Sequence, residues 1–276
     1  MTKTLSAVGI IAALFSTSSN AGDFELSVGG FLSKANTELG VSSIAPIQDI
    51  KLDFESDLEL EESELLPYLQ LAYRFNDKHA IYADWRRLHR RSTISALSEG
   101  FSFEWEGQTY EAQVGGRITS TLNIDLARLG YGYKFFNDET WDIEIVGGIH
   151  LMQIEVGFEG AVGARVDGST TIQDIGNPVF QDVTAPLPNF GLLGSYSINE
   201  DWDIDAHSQF FYLEYQDISG LLIDASIGVS YQFTDNLSAS AAYSYYEIGI
   251  DYGGASGDLD VNFQFYGPMA TLNYQF

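Results

Sequence analysis

Cysteine is absent from the 276 residues of this chain. Its absence excludes disulfide bonds, thiol nucleophiles and cysteine metal sites together. After residue 21 the chain also lacks any run of about 18 apolar residues, which excludes membrane-spanning helices. Basic residues are scarce, with 13 lysines and arginines against 39 aspartates and glutamates. The resulting net charge of −26 repels nucleic acid, so we predict no nucleic-acid partner.

The first 21 residues have the composition of a secretory signal peptide. Lys3 supplies a positive start, Leu5 to Phe15 form an apolar core, and Ala21 ends a small-residue cleavage site. The apolar core is about half the length that a membrane-spanning helix needs. We therefore predict an exported protein with a cleaved signal peptide at 1–21 and a single domain at 22–276.

The remaining chain alternates apolar and polar residues, and 14% of all residues are aromatic. From Leu221 to Phe233 the odd positions are apolar, whereas the even positions are mostly polar or small. Transmembrane β-strands have this pattern over about ten residues, because one face meets lipid and the other meets the lumen. The sequence thus predicts an all-β fold, an antiparallel up-and-down transmembrane β-barrel. A secreted β-sandwich is the alternative.

Short turns at 75–78, 137–140, 199–201 and 234–236 separate the strands, and their Asn and Asp residues favour tight reversals. Pairing these turns with longer extracellular segments gives about ten strands. The predicted strands are 23–33, 64–75, 79–91, 118–136, 141–157, 187–198, 202–216, 220–233, 237–250 and 261–276. The predicted longer segments are 35–63, 92–117, 159–186 and 251–260.

The strand count has two alternatives. It becomes about eight if the weak segments 23–33 and 187–198 are not strands. It becomes about twelve if Ile50–Phe54 or Phe101–Trp105 enters the wall, although we expect these two to form extensions or hairpins above the membrane.

The last strand ends on Phe276, and Tyr274 lies on the same apolar face. Here the chain resembles the Gram-negative outer-membrane β-barrel proteins, whose final aromatic residue is recognised by the barrel-assembly machinery. Segments 50–60 and 67–76 also resemble a group of uncharacterised proteobacterial outer-membrane proteins. The resemblance implies a place in the cell outer membrane, with lipid, lipopolysaccharide and the assembly machinery as partners. We expect a monomer without a cofactor.

Charged residues occupy the lumen face of several predicted strands. The interior of a barrel of about ten strands is only modestly wider than one that side chains fill, so opposite charges there are expected to pair. The predicted lumen charge network contains Arg74, Arg86, Arg128, Asp142, Glu144, Asp203, Asp205 and His207, with Glu25, Lys134 and Asp224 on the same face. Such a network either fills a structural barrel or lines a narrow, cation-favouring channel for small solutes.

Two clusters near the extracellular side have alternative interpretations. Arg87, Arg90 and Arg91 are predicted to contact lipopolysaccharide phosphates, which arginine binds well, or else to pair with acidic loops. The acidic first loop, from Asp49 to Glu64, lacks the ligand spacing of a calcium loop. We therefore predict a solvated acidic surface and no metal site.

An outer-membrane enzyme is the alternative function. Asp205-Ala206-His207 is similar to the Asp-x-His pair of the omptin proteases, but it lies near a periplasmic turn instead of the extracellular rim. His207-Ser208 is similar to the pair used by outer-membrane lipid hydrolases, but neighbouring strand residues point to opposite faces. The sequence therefore predicts no catalytic residue.

Removal of Phe276 is expected to slow membrane assembly without altering export, because the assembly signal and the signal peptide lie at opposite ends of the chain. The truncated protein should accumulate in the periplasm, as measured by cell fractionation and by heat-modifiable migration in gels. Folded truncated protein at wild-type levels in the outer membrane would contradict the assembly role.

Overall fold

The computed structural model describes residues 23–43, 50–95, 101–105, 108–112, 117–166, 169–215, 218–254 and 257–276. The predicted signal peptide at 1–21 and the acidic residue Asp49 lie outside these ranges. The described residues form thirteen strands: β1 (Asp23–Ser43), β2 (Ile50–Asp53), β3 (Ser63–Asn76), β4 (His79–Ile94), β5 (Phe101–Trp105), β6 (Gln108–Ala112), β7 (Ile118–Asn137), β8 (Trp141–Val166), β9 (Ser169–Ser197), β10 (Trp202–Tyr215), β11 (Ile218–Thr234), β12 (Leu237–Gly254) and β13 (Gly257–Gln275). Within these ranges no helix has the length and apolar character needed to span a membrane.

Ten strands close into an antiparallel barrel, which confirms the predicted fold class and excludes the β-sandwich. The wall order is β1, β3, β4, β7, β8, β9, β10, β11, β12 and β13. The first and last strands pair along their length, with Glu25 opposite Gln275 and Ser43 opposite Gly257. Strand β2 pairs with β1, and the β5–β6 hairpin pairs with β8. Neither predicted extension enters the wall.

The four short turns are stabilised by their own polar side chains. In each turn a side-chain oxygen accepts hydrogen bonds from the backbone N–H groups two and three residues later. The accepting residues are Asn76, Asp138, Asn199 and Thr234. These bonds satisfy backbone donors at the points where the chain reverses and the strand ladder ends. At Asp138 the bonds from Thr140 and Trp141, 2.8 and 2.7 Å long, also lower the pKa of the carboxyl group.

The strands continue beyond the lengths that alternation predicts. The β8–β9 ladder runs from Trp141 opposite Tyr196 to Val166 opposite Ser169. A tilted strand crosses a bilayer in about 9–11 residues, so much of this hairpin lies above the membrane. The predicted loop at 159–186 is therefore mostly strand. Backbone pairing continues there although the lipid-facing pattern has ended.

The outer surface of the lower barrel is an apolar belt with aromatic residues at its periplasmic edge. Exposed leucines and isoleucines include Leu129, Ile149 and Ile227. At the edge, aromatic pairs have ring centroids 4.4 to 4.9 Å apart: Phe24 with Tyr73, Trp141 with Tyr196, Trp202 with Tyr231, and Tyr274 with Phe276. Aromatic girdles of this kind mark the membrane–water interface of outer-membrane barrels.

The upper barrel has the opposite polarity. In β7 the apolar residues Leu129 and Tyr131 point outward, but Leu122, Ile124 and Leu126 are buried inside the barrel. Arg128 lies at the switch between the two arrangements. The lower part is therefore a membrane barrel, and the upper part has the apolar interior and polar exterior of a water-soluble barrel.

Residues between β2 and β3 insert into the top of this apolar interior. Phe54, Leu58 and Leu60 are 2%, 0% and 3% exposed, respectively. They complete a buried apolar layer, which we call the apolar stopper, with wall residues that include Phe31, Leu66, Leu88, Ile124, Leu126, Leu222, Ile248, Phe263 and Phe265. The chain reverses at Glu59, whose φ of 52° is in the left-handed region. Much of the predicted first loop is thus part of the core.

Ile227→Arg is expected to prevent stable membrane folding, because an arginine near mid-membrane on a barrel exterior costs about 2–4 kcal/mol. Ile227 is 62% exposed on the apolar belt. The matched control is Ser230→Arg on the same strand, where the new charge faces the lumen beside Asp205. Folded yield in lipid vesicles, measured by heat-modifiable migration, should fall only for Ile227→Arg. Equal yields would contradict the assignment of the two faces.

Candidate functional site

Four charged side chains form the central ion cluster at the switch in polarity. Arg86 lies 3.1 Å from Asp224 and 3.9 Å from Asp84. Arg128 lies 3.5 Å from Asp224 and also donates to Asp84. Every side chain is less than a tenth exposed, and Asp224 is not exposed at all. Two positive and two negative charges balance, which offsets part of the cost of removing them from water.

Aromatic and amide groups surround the central ion cluster. The Arg86 guanidinium lies 5.5 Å from the ring centres of both Tyr68 and Tyr246, at cation–π distance. The Tyr246 hydroxyl is 2.9 Å from Nδ1 of His150. Asn189 Nδ2 lies 2.6 Å from Nε2 of His150. The polar atoms of this layer therefore bind one another.

The lumen is closed above the cluster. Between Arg86 and the apolar stopper the void has a volume of only about 10 Å³, and its walls include Phe31, Leu126 and Phe265. A space of that size holds about one water molecule. Within the described residues, the apolar stopper and the central ion cluster thus form two successive barriers.

Below the cluster the lumen opens into a polar cavity of about 380 Å³, which we call the periplasmic cavity. Its walls contain many serines and glycines, whose small side chains leave the space free. Arg74 and Asp142 line it with side chains 36% and 32% exposed, so its mouth meets water. Arg74 pairs with Glu144 at 2.6 Å, and Lys134 pairs with Asp142.

The predicted lumen residues all face the interior, but they form separate groups. Arg86, Arg128 and His207 meet at Asp224, whereas Arg74 and Glu144 form their own pair near the mouth. Asp205 binds no arginine in the described contacts and accepts hydrogen bonds from Ser195 and Ser230 at 2.8 and 2.7 Å. Asp203 accepts one from Ser197 at 2.6 Å.

His207 connects the central ion cluster to the periplasmic cavity. Its Nε2 lies 2.9 Å from Asp224 Oδ1, and its Nδ1 lies 2.8 Å from the hydroxyl oxygen of Ser226. The imidazole does not bind Asp205 in the described contacts, so the Asp-x-His spacing does not produce an omptin-like pair. His207 and Ser226 both line the cavity, and they are directly opposite each other on β10 and β11.

The three arginines predicted at the lipopolysaccharide level lie on two faces. Arg87 and Arg91 point outward, and Arg91 pairs with Glu159 at 2.6 Å. Arg90 faces the interior, where it binds Glu55 and donates to Thr37 Oγ1 at 2.7 Å. This placement corrects the prediction for Arg90, because strand alternation puts it on the face of Arg86 and not that of Arg87.

The first-loop acids also differ from the expected solvated surface at one position. The Glu55 side chain is only 7% exposed and pairs with Arg90 inside the barrel. Among the described residues, no group of three His, Asp or Glu side chains has a geometry that could hold a metal ion.

The sequence interpretation missed several contributors to the site, which include Asp84, Tyr68, Ser226, Tyr246 and Asn189. Asp84 could have been found, because it lies two residues before Arg86 and therefore shares its face. Tyr68 and Ser226 also lie on lumen faces, but alternation alone does not show which side chains of other strands they contact. Those contacts depend on the register between strands.

Comparisons with known proteins bear on the fold. No protein-family model matches the chain, and no curated protein sequence is significantly similar to it. The structure is similar to that of the outer-membrane protease OmpT from Escherichia coli, with 11% identity, a TM-score of 0.59, and coverage of 95% of this chain and 99% of OmpT. OprG from Pseudomonas aeruginosa matches with 11% identity, a TM-score of 0.38 and coverage of 93% and 97%, respectively. Ail from Yersinia pestis matches with 11% identity, a TM-score of 0.37 and coverage of 93% and 99%.

The closed ten-strand wall, the apolar belt and the aromatic girdle define the class of this protein. Its fold is that of the outer-membrane β-barrel proteins. The likeness to OmpT extends to the fold and no further.

Arg128→Ala is expected to destabilise the barrel by about 3–5 kcal/mol, because it leaves the two buried carboxylates Asp84 and Asp224 with one arginine, Arg86, between them. The matched control is Lys134→Ala on the same strand, whose partner Asp142 is partly exposed near the mouth. That change should lower stability by at most about 1 kcal/mol. Urea unfolding of the two variants in lipid vesicles measures the difference. Similar losses would show that the central ion cluster is open to water.

Proposed function

We propose that the protein is an integral structural barrel of the outer membrane whose lumen is closed at rest. The main support is the succession of two buried barriers, the apolar stopper above the central ion cluster. The fold is shared with proteins of many activities and does not separate a structural barrel from a channel.

Opening a path would require two separate changes. The segment around Phe54 and Leu58 would have to leave the upper lumen and expose apolar surface to water. Arg86 and Arg128 would also have to separate from Asp224 and Asp84, which leaves buried charges unpaired. Because each change is unfavourable by itself, the closed arrangement is the stable one.

A narrow channel is the second candidate, and the periplasmic cavity favours it. The cavity is lined by several charged side chains, its mouth meets water, and its volume of about 380 Å³ is enough for a small solute in the lower half of the barrel. A channel would need a stimulus that displaces both barriers above it. The resting protein would still be closed.

Export and assembly complete the proposal. The signal peptide is cleaved after Ala21, and Phe276 with Tyr274 forms the assembly signal at the other end. Supporting this, the Phe276 N–H donates a 2.8 Å hydrogen bond to the Phe24 carbonyl, so the terminal residue joins the seam that closes the barrel. Arg87 and Arg91, on the outer surface, contact lipopolysaccharide phosphates.

Planar-bilayer recordings test the closed lumen. The folded wild-type protein should give no steady conductance, while an open porin inserted under the same conditions gives clear steps. Heat-modifiable migration of the reconstituted sample establishes that the barrel is folded. Large, steady conductance steps from the wild-type protein would overturn the structural proposal and support the channel.

A further inference from the structure

Ser226, His207 and Asp224 form a chain of hydrogen bonds that ends in the periplasmic cavity. Ser226 and Asp224 are two residues apart on β11, so both face the lumen. His207 is the cross-strand partner of Ser226 on β10. The His207 imidazole bridges the other two side chains at 2.8 and 2.9 Å. Three residues from two strands thus meet in the order serine, histidine, aspartate.

The buried carboxylate determines the tautomer of the imidazole. Asp224 accepts from Nε2 of His207, so in the neutral ring the proton lies on Nε2 and the lone pair lies on Nδ1. Nδ1 can then accept the Ser226 hydroxyl proton. A nucleophile bound to a base that a third group orients is the arrangement of nucleophilic catalysis. The other oxygen of Asp224 is held by Arg86 and Arg128, which keeps the carboxylate in position.

The position in the cavity makes the serine accessible. Ser226 and His207 line the periplasmic cavity, whereas Asp224 is fully buried behind them. Arg128, which pairs with Asp224, lines the same cavity. If the hydrogen bond between Ser226 and His207 had only a structural role, Ser226 would not need to be accessible from the cavity.

We propose that Ser226 is the nucleophile of a periplasmic esterase site, with His207 as its base and Asp224 as the residue that orients the base. Ser226 Oγ attacks the ester carbonyl carbon while its proton moves to His207 Nδ1. The bond from the carbonyl carbon to the alcohol oxygen breaks, and the leaving alcohol takes that proton. Water then attacks the acyl group, gives a proton to His207, and releases the acid as the proton returns to Ser226.

The cavity selects the substrate class. Its volume of about 380 Å³ admits a small ester and excludes the bulk of a phospholipid. Near the mouth, Arg74 and Lys134 are matched by Glu144 and Asp142, while Asp205 is bound only by serines in the described contacts. The site therefore favours an uncharged or cationic acyl ester over an anionic one.

Labelling with a small fluorophosphonate tests the nucleophile in the folded, full-length mature protein. We expect one labelled serine, Ser226, identified by mass spectrometry, and no label in Ser226→Ala. His207→Gln should slow labelling by about 100-fold or more, because it removes the general base. The matched control is Ser230→Ala. Ser230 lines the same cavity but donates its hydrogen bond to Asp205, and in the described contacts it does not bind a histidine. Labelling of Ser230→Ala should therefore equal that of the wild type. p-Nitrophenyl acetate hydrolysis should follow the same order.

A second pair of variants covers the case in which Ser226→Ala does not fold. Because the chain has no cysteine, Ser226→Cys and Ser230→Cys each introduce one thiol. At neutral pH the thiol beside His207 should react with iodoacetamide about tenfold or more faster, since a neighbouring imidazole favours the thiolate. Equal thiol rates, or fluorophosphonate labelling that His207→Gln leaves unchanged, would overturn the proposal. Conductance is a separate readout, so the closed lumen and the esterase site can fail independently.

Discussion

Backbone hydrogen bonding in lipid is the constraint on which the rest of the structure depends. An unpaired strand edge inside the hydrocarbon would leave N–H and C=O groups unsatisfied, so the sheet must close on itself. Here β1 and β13 form that closure over most of their length. Once the wall is closed, each strand has one lipid face and one lumen face, and the lumen becomes a space that side chains must fill or water must enter.

The chain fills the lumen differently along the barrel axis. Small residues in the lower half leave the periplasmic cavity free of side chains, and the upper half is packed with apolar side chains. The central ion cluster lies at the boundary between the two halves. On its lower side Asp224 contacts His207, and on its upper side Arg86 faces the apolar stopper. This arrangement explains why buried charges are tolerated there: each arginine has a carboxylate partner, and Arg86 also lies against two tyrosine rings.

The same boundary produces the proposed esterase site. Asp224 pairs with Arg86 in the central ion cluster, and it also contacts His207, which lines the cavity. A buried carboxylate, held in place next to a solvent-accessible cavity, can orient a base toward a nucleophile. A barrel closed on the extracellular side can therefore still perform chemistry on molecules that enter from the periplasm.

Local pattern in the sequence determined the strands, their two faces, the four short turns and the class of protein. The period of two and the polar turn residues act over a few positions, so they can be interpreted without the fold. The polarity switch at Arg128 is also visible in β7, where apolar residues move from even to odd positions. Only the tertiary structure decided that Arg128 binds Asp84, that Arg90 binds Glu55 inside the barrel, and that Ser226 faces His207. Those contacts depend on strand register and on the insertion of Phe54 to Leu60, which link residues far apart in the chain and leave no local signal.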